Sequence, residues 1–458
     1  MRAFARQMTE RMKAVAAAGA VAAFWLAVWV FVAALVAQPL ILPGPGAVVV
    51  ALLRLVCDAG TWAILAGSGA RILGGLALAA VCGGLLAGIS SRSRAFARLV
   101  APALSFVKAT PVACVVVLLL IWLGSARVSI AAVFLMALPG VYFSLVEGLT
   151  QADKPLEQMF RLHGVRGWRL FCAHIWREVL PFVLSCARAV IGMSWKAGVA
   201  AELIGMAVGT VGERIYQAKL LIETADLLAW TVLVVMASWA CERVLVWLLR
   251  ASGPAAWRAV VLSHGRGLRG RAGAASDGAA AELALAVGDR APWAPALDGL
   301  VLHVPAGGRT CVMGASGVGK STLLALAAGE CAPCSMVFQD VRLVEDASAL
   351  DNVLVCADAR VDASSAAALL RLLVPGVDVH ARVAELSGGQ RRRVEIARAL
   401  LCGGCAVILD EPFTGLDIAA RDACTEVVLD LLDGRMLLLA THDSADARAL
   451  NISDIITL

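Results

Sequence analysis

Gly314-Ala-Ser316-Gly317-Val-Gly319-Lys320-Ser321-Thr322 is a run of small residues closed by a lysine and two hydroxyls. Such a run lets backbone N–H groups wrap phosphate oxygens, while Lys320 supplies a point charge at the β- and γ-phosphates and the Ser321 hydroxyl can ligate Mg²⁺. The strand-like Arg309-Thr-Cys-Val-Met313 precedes the run and the apolar stretch from Leu323 to Ala328 follows it, which is the strand-loop-helix setting this chemistry needs. Downstream, Ala406-Val-Ile-Leu409 reads as a buried strand ending in Asp410-Glu411. The first acid can hold Mg²⁺ through water, and the second can orient or deprotonate an attacking water. His442 follows the apolar run Met436 to Ala440 and is placed at the end of another strand, within reach of a γ-phosphate.

The rest of the chain must hold these groups in very different surroundings. The 458 residues are 60% hydrophobic and 16% charged, with a mean hydropathy of +0.81. A soluble domain is about 45–50% apolar and about 25% charged, so part of this chain must meet a bilayer. Charge divides it: residues 1–250 carry 22 Lys+Arg against 11 Asp+Glu, and residues 283–458 carry 14 against 22. A basic apolar half followed by an acidic, ordinary half predicts a transmembrane domain (1–250), a flexible Gly/Ala/Arg-rich linker (251–282) and a cytosolic α/β domain (283–458). The balance does not point to nucleic acid.

Apolar stretches at 15–37, 66–90, 99–123, 127–148, 181–206 and 227–249 predict an α-helical bundle of about six spans. Pro111 should kink or interrupt the third. The stretch after Leu42-Pro43-Gly44-Pro45-Gly46 is too short to span. Basic residues concentrate in the N-terminus, in Arg92/Arg94/Arg98 and between Lys154 and Arg177, which places both ends and the loop from Glu147 to Leu180 in the cytoplasm. Arg71, Lys108, Arg188, Lys196 and Glu202 lie inside the spans and require an interior or watery setting. Lys196 and Glu202, on one helix with Trp195, read as the lining of a translocation path, as a structural ion pair, or as a snorkelling side chain near a helix end.

Cys331/Cys334 and Cys402/Cys405 form two CxxC pairs whose separation of about 70 residues is far beyond the usual zinc-ribbon spacing of about 15–20. Reduced cytosolic thiols are the expectation.

Leu386-Ser387-Gly388-Gly389-Gln390 resembles the signature sequence of ATP-binding cassette (ABC) proteins. With the phosphate loop, Gln339, Asp410-Glu411, Asp417 and His442, the cassette's motifs stand in the expected order from about residue 283 onward. The resemblance implies ATP and Mg²⁺ as cofactors. It also implies a head-to-tail dimer with a second copy, in which one subunit's phosphate loop and the other's Ser387-Gly388-Gly389-Gln390 enclose each ATP. Gln339 would sense the Mg²⁺ and γ-phosphate, Glu411 would be the general base, His442 the switch residue, and Asp417 would lie across the seam.

Residues 35–245 resemble the permeases of binding-protein-dependent importers, most closely the branch for nitrate, sulfonates, taurine and thiamine precursors. The matching pieces are Leu42-Pro43, Gly74, Gly84, Pro111, Trp122-Leu-Gly124, Gly164, Trp168, Leu180-Pro181, Trp195 and Ala201-Glu202. The resemblance implies ATP-driven import of a small solute across the cytoplasmic membrane, served by an extracytoplasmic solute-binding protein. An exporter or a non-transporting mechanical module are the competing classes. In these permeases a cytoplasmic EAA loop forms a coupling helix that docks on the ATPase; here it is Gly148 to Leu180.

Four departures stand out. Gln158-Met159-Phe160 replaces Glu-Ala-Ala, with Glu157 displaced by one position, and Val344-Glu345-Asp346 stands where the family often has Leu-Pro-Trp. Both fall on surfaces expected to meet, which predicts that they are complementary. Lys320 and Gln339 lie only 19 positions apart, about half the family's usual spacing. Val287 occupies the position of the adenine-stacking aromatic, leaving Trp293 as a substitute or as a plain surface residue.

Overall fold

The computed structural model describes residues 2–263, 282–287 and 297–458. Most of the stretch read as a linker (264–281) and Trp293 lie outside the described residues. In chain order the helices are α1 (Arg2–Val36), α2 (Pro45–Cys57), α3 (Ala59–Ser90), α4 (Arg94–Ala109), α5 (Val112–Leu123), α6 (Ser125–Gln151), α7 (Lys154–Leu162), α8 (Gly167–Leu170), α9 (Trp176–Gly205), α10 (Val211–Leu220) and α11 (Thr224–Leu262). Compact packing divides the chain into two units, Met1–Gln151 with Val179–Arg250, and Ala152–Glu178 with Ala251–Leu458. The segment 152–178, interior to the permease in sequence, therefore packs with the C-terminal half.

Among the described residues, five helical stretches are long and apolar enough to cross a membrane: Gly19–Val36, Ala59–Ser90, Ser125–Gln151, Gly167–Gly205 and Thr224–Leu262. The expected third span is a broken pair, α4 and α5, bent by 103°. Pro111 causes the break, because it has no N–H and drives Thr110 out of the helical region, to ψ 130°. Helix α3 carries a stripe of small buried residues four apart, Gly75, Ala79, Gly83 and Ala87, that lets α6 approach closely. A Cβ at Gly75 would lie 2.5 Å from the carbonyl oxygen of Ile130.

The stretch read as linker begins as helix, because α11 runs on to Leu262. Trp257, Val260 and Val261 are buried in the core of the second unit, and the Trp257 indole donates to Asp351 Oδ2 at 3.2 Å. These buried anchors, spaced three and four apart, give residues 251–262 the helical period that their Ala and Gly content conceals.

The C-terminal half contains an antiparallel pair, β1 (Leu283–Ala286) and β2 (Val301–Val304), and a five-stranded parallel sheet. The sheet's strands are β3 (Arg309–Met313), β4 (Ser335–Val337), β5 (Ala406–Asp410), β6 (Met436–Thr441) and β7 (Asp454–Thr457), in the spatial order β4-β5-β6-β3-β7. Every residue of β4, β5 and β6 is buried. Such strands read as continuous apolar runs because helices cover both faces of a parallel sheet. The covering helices are α12 (Lys320–Glu330), α13 (Ala349–Leu354), α14 (Ala363–Leu373), α15 (Gly388–Leu401), α16 (Ile418–Leu431) and α17 (Ser444–Ala449).

Candidate active site

Three neighbouring strands, β3, β5 and β6, end together, and the chemistry-bearing residues sit at those ends, where α/β sheets bind ligands. After β3 the chain turns through Gly317 (φ +82°) and Gly319 (φ +114°), left-handed conformations that glycine adopts without a Cβ penalty. Gly319 caps α12, so the amide end of that helix faces the loop. Lys320 is only 6% exposed and its ammonium donates to the carbonyls of Gly314 (2.8 Å) and Ala315 (3.0 Å). Gly314, Ser316, Gly317, Gly319, Lys320, Ser321 and Thr322 thus form one continuous cradle.

Asp410, at the end of β5, is 3% exposed and stands beside the Ser321 side chain. Burial pushes its carboxyl up, and the Glu411 charge adds to that, against the pull of Ser321, Lys320 and Arg392. Asp410 Oδ1 is buried with no hydrogen-bond donor. An orphaned carboxylate oxygen beside a hydroxyl fits a hard cation and its waters, so Ser321 and Asp410 suit Mg²⁺. Glu411 has φ +45°, a strained conformation for a non-glycine residue, costing about 1–3 kcal/mol. Its amide donates to Ala440 O at 2.9 Å, and its Oε1 lies 3.4 Å from His442 Nδ1. Glu411 and His442 are therefore paired at the ends of adjacent strands.

The remaining motif residues lie on helix starts and an exposed loop. Ser387 caps α15 through a reciprocal box: its hydroxyl accepts from Gln390 N at 3.3 Å, and its amide donates to Gln390 Oε1 at 2.9 Å. Ser387 and Gly388 are exposed, as is Gln339 after β4. Asp417 caps α16, accepting from Ala420 N at 2.8 Å. A Cβ on Gly389 would stand 3.5 Å from Gly415 O, so the segment before Asp417 runs beside the signature glycines. Val287, at the adenine-stacking position, is fully buried.

Residues 80–258 match the family model of the binding-protein-dependent transport system inner membrane component, and residues 332–414 match that of the ABC transporter. The aliphatic sulfonates import ATP-binding protein SsuB of Escherichia coli strain K12 is 36% identical over 179 residues, covering 34% of this chain and 68% of that protein. The chain belongs to the ABC transporter family. It joins a permease domain and an ABC ATPase domain in one multi-pass membrane protein. SsuB 1 of Rhizobium johnstonii is likewise 36% identical, over 175 residues, with 33% of this chain and 64% of that protein covered. The transporter thus spans about two thirds of the length of these curated relatives. A bacterial ABC transporter cassette solved as a dimer is 23% identical, with 39% of this chain and 92% of that one covered at a TM-score of 0.32.

Within the transporter's second unit, the segment read as the coupling loop packs on the cassette. Asp153 caps α7 by accepting from Leu156 N. Met159 and Phe160, the bulky replacements for the family's two alanines, are both 0% exposed in the cassette's hydrophobic core. Glu157 turns the other way and pairs with Arg161 at 2.6 Å. Leu162 O accepts from Cys334 N at 3.0 Å. Buried His163 joins loop to strand: Nδ1 meets Met159 O at 2.8 Å and Nε2 accepts from Met336 N at 3.5 Å, which fixes the proton on Nδ1. Burial, with Arg398 nearby, holds its imidazole down at about 3, so the ring is neutral. Sequence reasoning passed over His163, because a lone histidine beside a glycine carries no signal of burial.

Among the described residues, no ion pair joins the two departing segments to each other, since Glu157 pairs with Arg161 and the acids of the other segment find partners elsewhere. Asp346 lies 3.9 Å from Arg177 of the coupling loop, whereas Glu345 pairs with the cassette's own Arg391 at 3.3 Å. Asp346 is largely exposed, and such pairs contribute about 0.2–1 kcal/mol. Asp346→Arg should therefore lower solute uptake by about two- to fivefold and leave basal hydrolysis nearly intact. Parallel losses in proteoliposome uptake and ATPase assays would refute a coupling role.

The two CxxC pairs come together at this joint, with Cys405 Sγ 3.4 Å from Cys331 O and Cys402 Sγ 3.8 Å from His163 O. Burial pushes the Cys402 thiol up to about 12 and that of Cys331 up to about 11. Among the described residues, no group of three or more His, Cys, Asp or Glu is placed to hold a metal ion.

In the permease unit, Glu202 is fully buried, but its partners are Arg71 (3.6 Å) and the Ser68 hydroxyl (2.8 Å) rather than Lys196. Gly212 N also donates to Glu202, and Val211 N to Ser68 Oγ, so the carboxylate ties the start of α10 to α3 and α9. Lys196 and Arg188 are exposed on the single chain.

Proposed function

We propose that this ABC transporter is a fused half-importer that works as a homodimer, drawing ATP energy to move a small solute inward across the cytoplasmic membrane. The observation that carries the reading is the coupling loop: a permease segment, 152–178, buries Met159, Phe160 and His163 in the ATPase core. In each cycle ATP and Mg²⁺ would be held by the cradle from Gly314 to Thr322, with Ser321, Asp410 and Gln339 around the metal. Glu411 would activate water, and His442, 3.4 Å away, would orient Glu411 and meet the γ-phosphate. The exposed Ser387 and Gly388 and the half-buried Gly389, with Gln390 locking the cap and Asp417 beside them, would close over the nucleotide of a second copy. Closure and reopening of the cassettes would drive the permease between two states through the loop.

The SsuB relatives make an aliphatic sulfonate the leading solute class, and the exposed Lys196 and Arg188 suit an anion. An extracytoplasmic solute-binding protein would deliver it. The test is the ATPase activity of the purified chain in lipid nanodiscs, alone and with candidate binding proteins loaded with a sulfonate. Stimulation by one loaded binding protein is the expected result. Robust hydrolysis indifferent to every binding protein would replace the importer with an exporter or a mechanical module.

A further inference from the structure

We propose that Glu395, buried in α15, is a positioning residue for Gln339, fastening the loop that carries it to the signature helix; the proposal rests on the ATPase reading above. Glu395 is 0% exposed. Its Oε2 pairs with Arg392 at 3.0 Å, and its Oε1 with Arg398 at 3.3 Å and with the Arg342 amide at 3.2 Å. The two guanidiniums in turn donate to carbonyls of the same loop, Arg392 to Phe338 and Gln339, and Arg398 to Arg342. The backbone from 338 to 342 is thus gripped at four points by one helix, the helix whose first turn is Gly388-Gly389.

The carboxylate is what allows this grip. Two guanidiniums on one buried helix face repel each other and are costly to desolvate, and a shared acid between them offsets both effects. From the same loop, the Arg342 side chain reaches outward to Pro155 O and Gln158 Oε1 of the coupling loop, both at 3.2 Å, while its guanidinium lies 3.7 Å from the Phe338 ring centroid. Gln339 therefore sits on a segment clamped between the signature helix and α7. A shift of α15 toward a nucleotide carries Gln339 with it, and the position of the coupling loop is read on the same segment. In sequence, Arg392, Glu395 and Arg398 look like a solvated charged face at i, i+3 spacing; only the fold buries them.

The experiment compares wild type, Glu395→Gln and Arg392→Lys as full chains in nanodiscs, by steady-state hydrolysis, nucleotide binding and hydrogen exchange. The amide variant keeps the shape but loses the charge, and the lysine keeps the charge but loses the planar fork. Both should lower kcat by about 10- to 100-fold, as expected when a catalytic group is misplaced by about 1 Å, and leave ATP affinity within about twofold. Exchange of the 338–342 amides should quicken by at least about tenfold while β5 and β6 stay protected. If Glu395→Gln fails to fold, Arg392→Lys decides alone. Unchanged kcat and unchanged 338–342 protection would overturn the proposal, as would a loss of ATP affinity in step with kcat. A wild-type chain that hydrolyses no ATP would refute the ATPase reading instead, and the exchange of 338–342 would then decide the clamp by itself.

Discussion

Replacing Glu411 by Gln should lower steady-state ATP hydrolysis of the nanodisc-embedded chain by about 10²- to 10⁴-fold, the range for loss of a general base, with ATP binding retained. Gln preserves the side chain's shape and its carbonyl acceptor but cannot take a proton from water. The geometry singles out Glu411 over its neighbour. Asp410 is buried beside Ser321, where it can serve a cation, whereas Glu411 is turned out of β5 by its φ of +45° and stands 17% exposed against His442. The strain is retained because the Glu411 amide is fixed by Ala440 O on the next strand. Asp410→Asn should differ in kind, raising the Mg²⁺ requirement more than it lowers the rate at saturating metal. A Glu411→Gln chain that keeps more than about a tenth of wild-type activity would remove Glu411 from the base's role, since that loss falls below the range for such a residue.

How much of this was legible in the sequence follows from how local each feature is. The loop from Gly314 to Thr322 lies in a contiguous strand-loop-helix, so nine adjacent residues with apolar flanks were enough to place it, and the position of Asp410-Glu411 at the end of a strand was equally plain. The spans were legible because length and charge scarcity are local properties, and the break at Pro111 followed from proline chemistry. The helix from 251 to 262 was not legible, because Trp257, Val260 and Val261 are anchors only once the cassette surface is present to bury them. The Glu395 clamp is harder still. Three charged side chains, Arg392, Glu395 and Arg398, signal exposure one by one, and their burial is a property of the set. Likewise the partner of Glu202 is Arg71, 131 positions away in sequence, a separation that no local spacing reveals.

Phe160→Ala should abolish solute uptake in proteoliposomes while basal hydrolysis survives. The side chain is 0% exposed within the cassette's core, and truncating a buried Phe costs about 3–5 kcal/mol, through lost transfer energy and the cavity left behind. That exceeds the worth of the ion pair between Asp346 and Arg177 severalfold, so the apolar anchor, and not the charged rim, sets how firmly the loop is held. At about 1.4 kcal/mol per factor of ten, the docked state of the loop loses about two to three orders of magnitude. Met159, also 0% exposed, shares the load, and its flexible thioether is suited to filling the remaining gap. The hydrogen bonds of His163 and Leu162 to the edge of β4 then lack the packing that aligns them, because they lie on the same short segment. Phe160→Leu, which refills most of the volume, should restore uptake substantially, as volume-conserving swaps in a core usually cost less than about 1.5 kcal/mol. The residues that would act on ATP lie elsewhere on the cassette, so the two activities should separate. Loss of hydrolysis together with uptake would mean instead that Phe160 supports the cassette's own fold and that the loop's hold on it lies in other contacts.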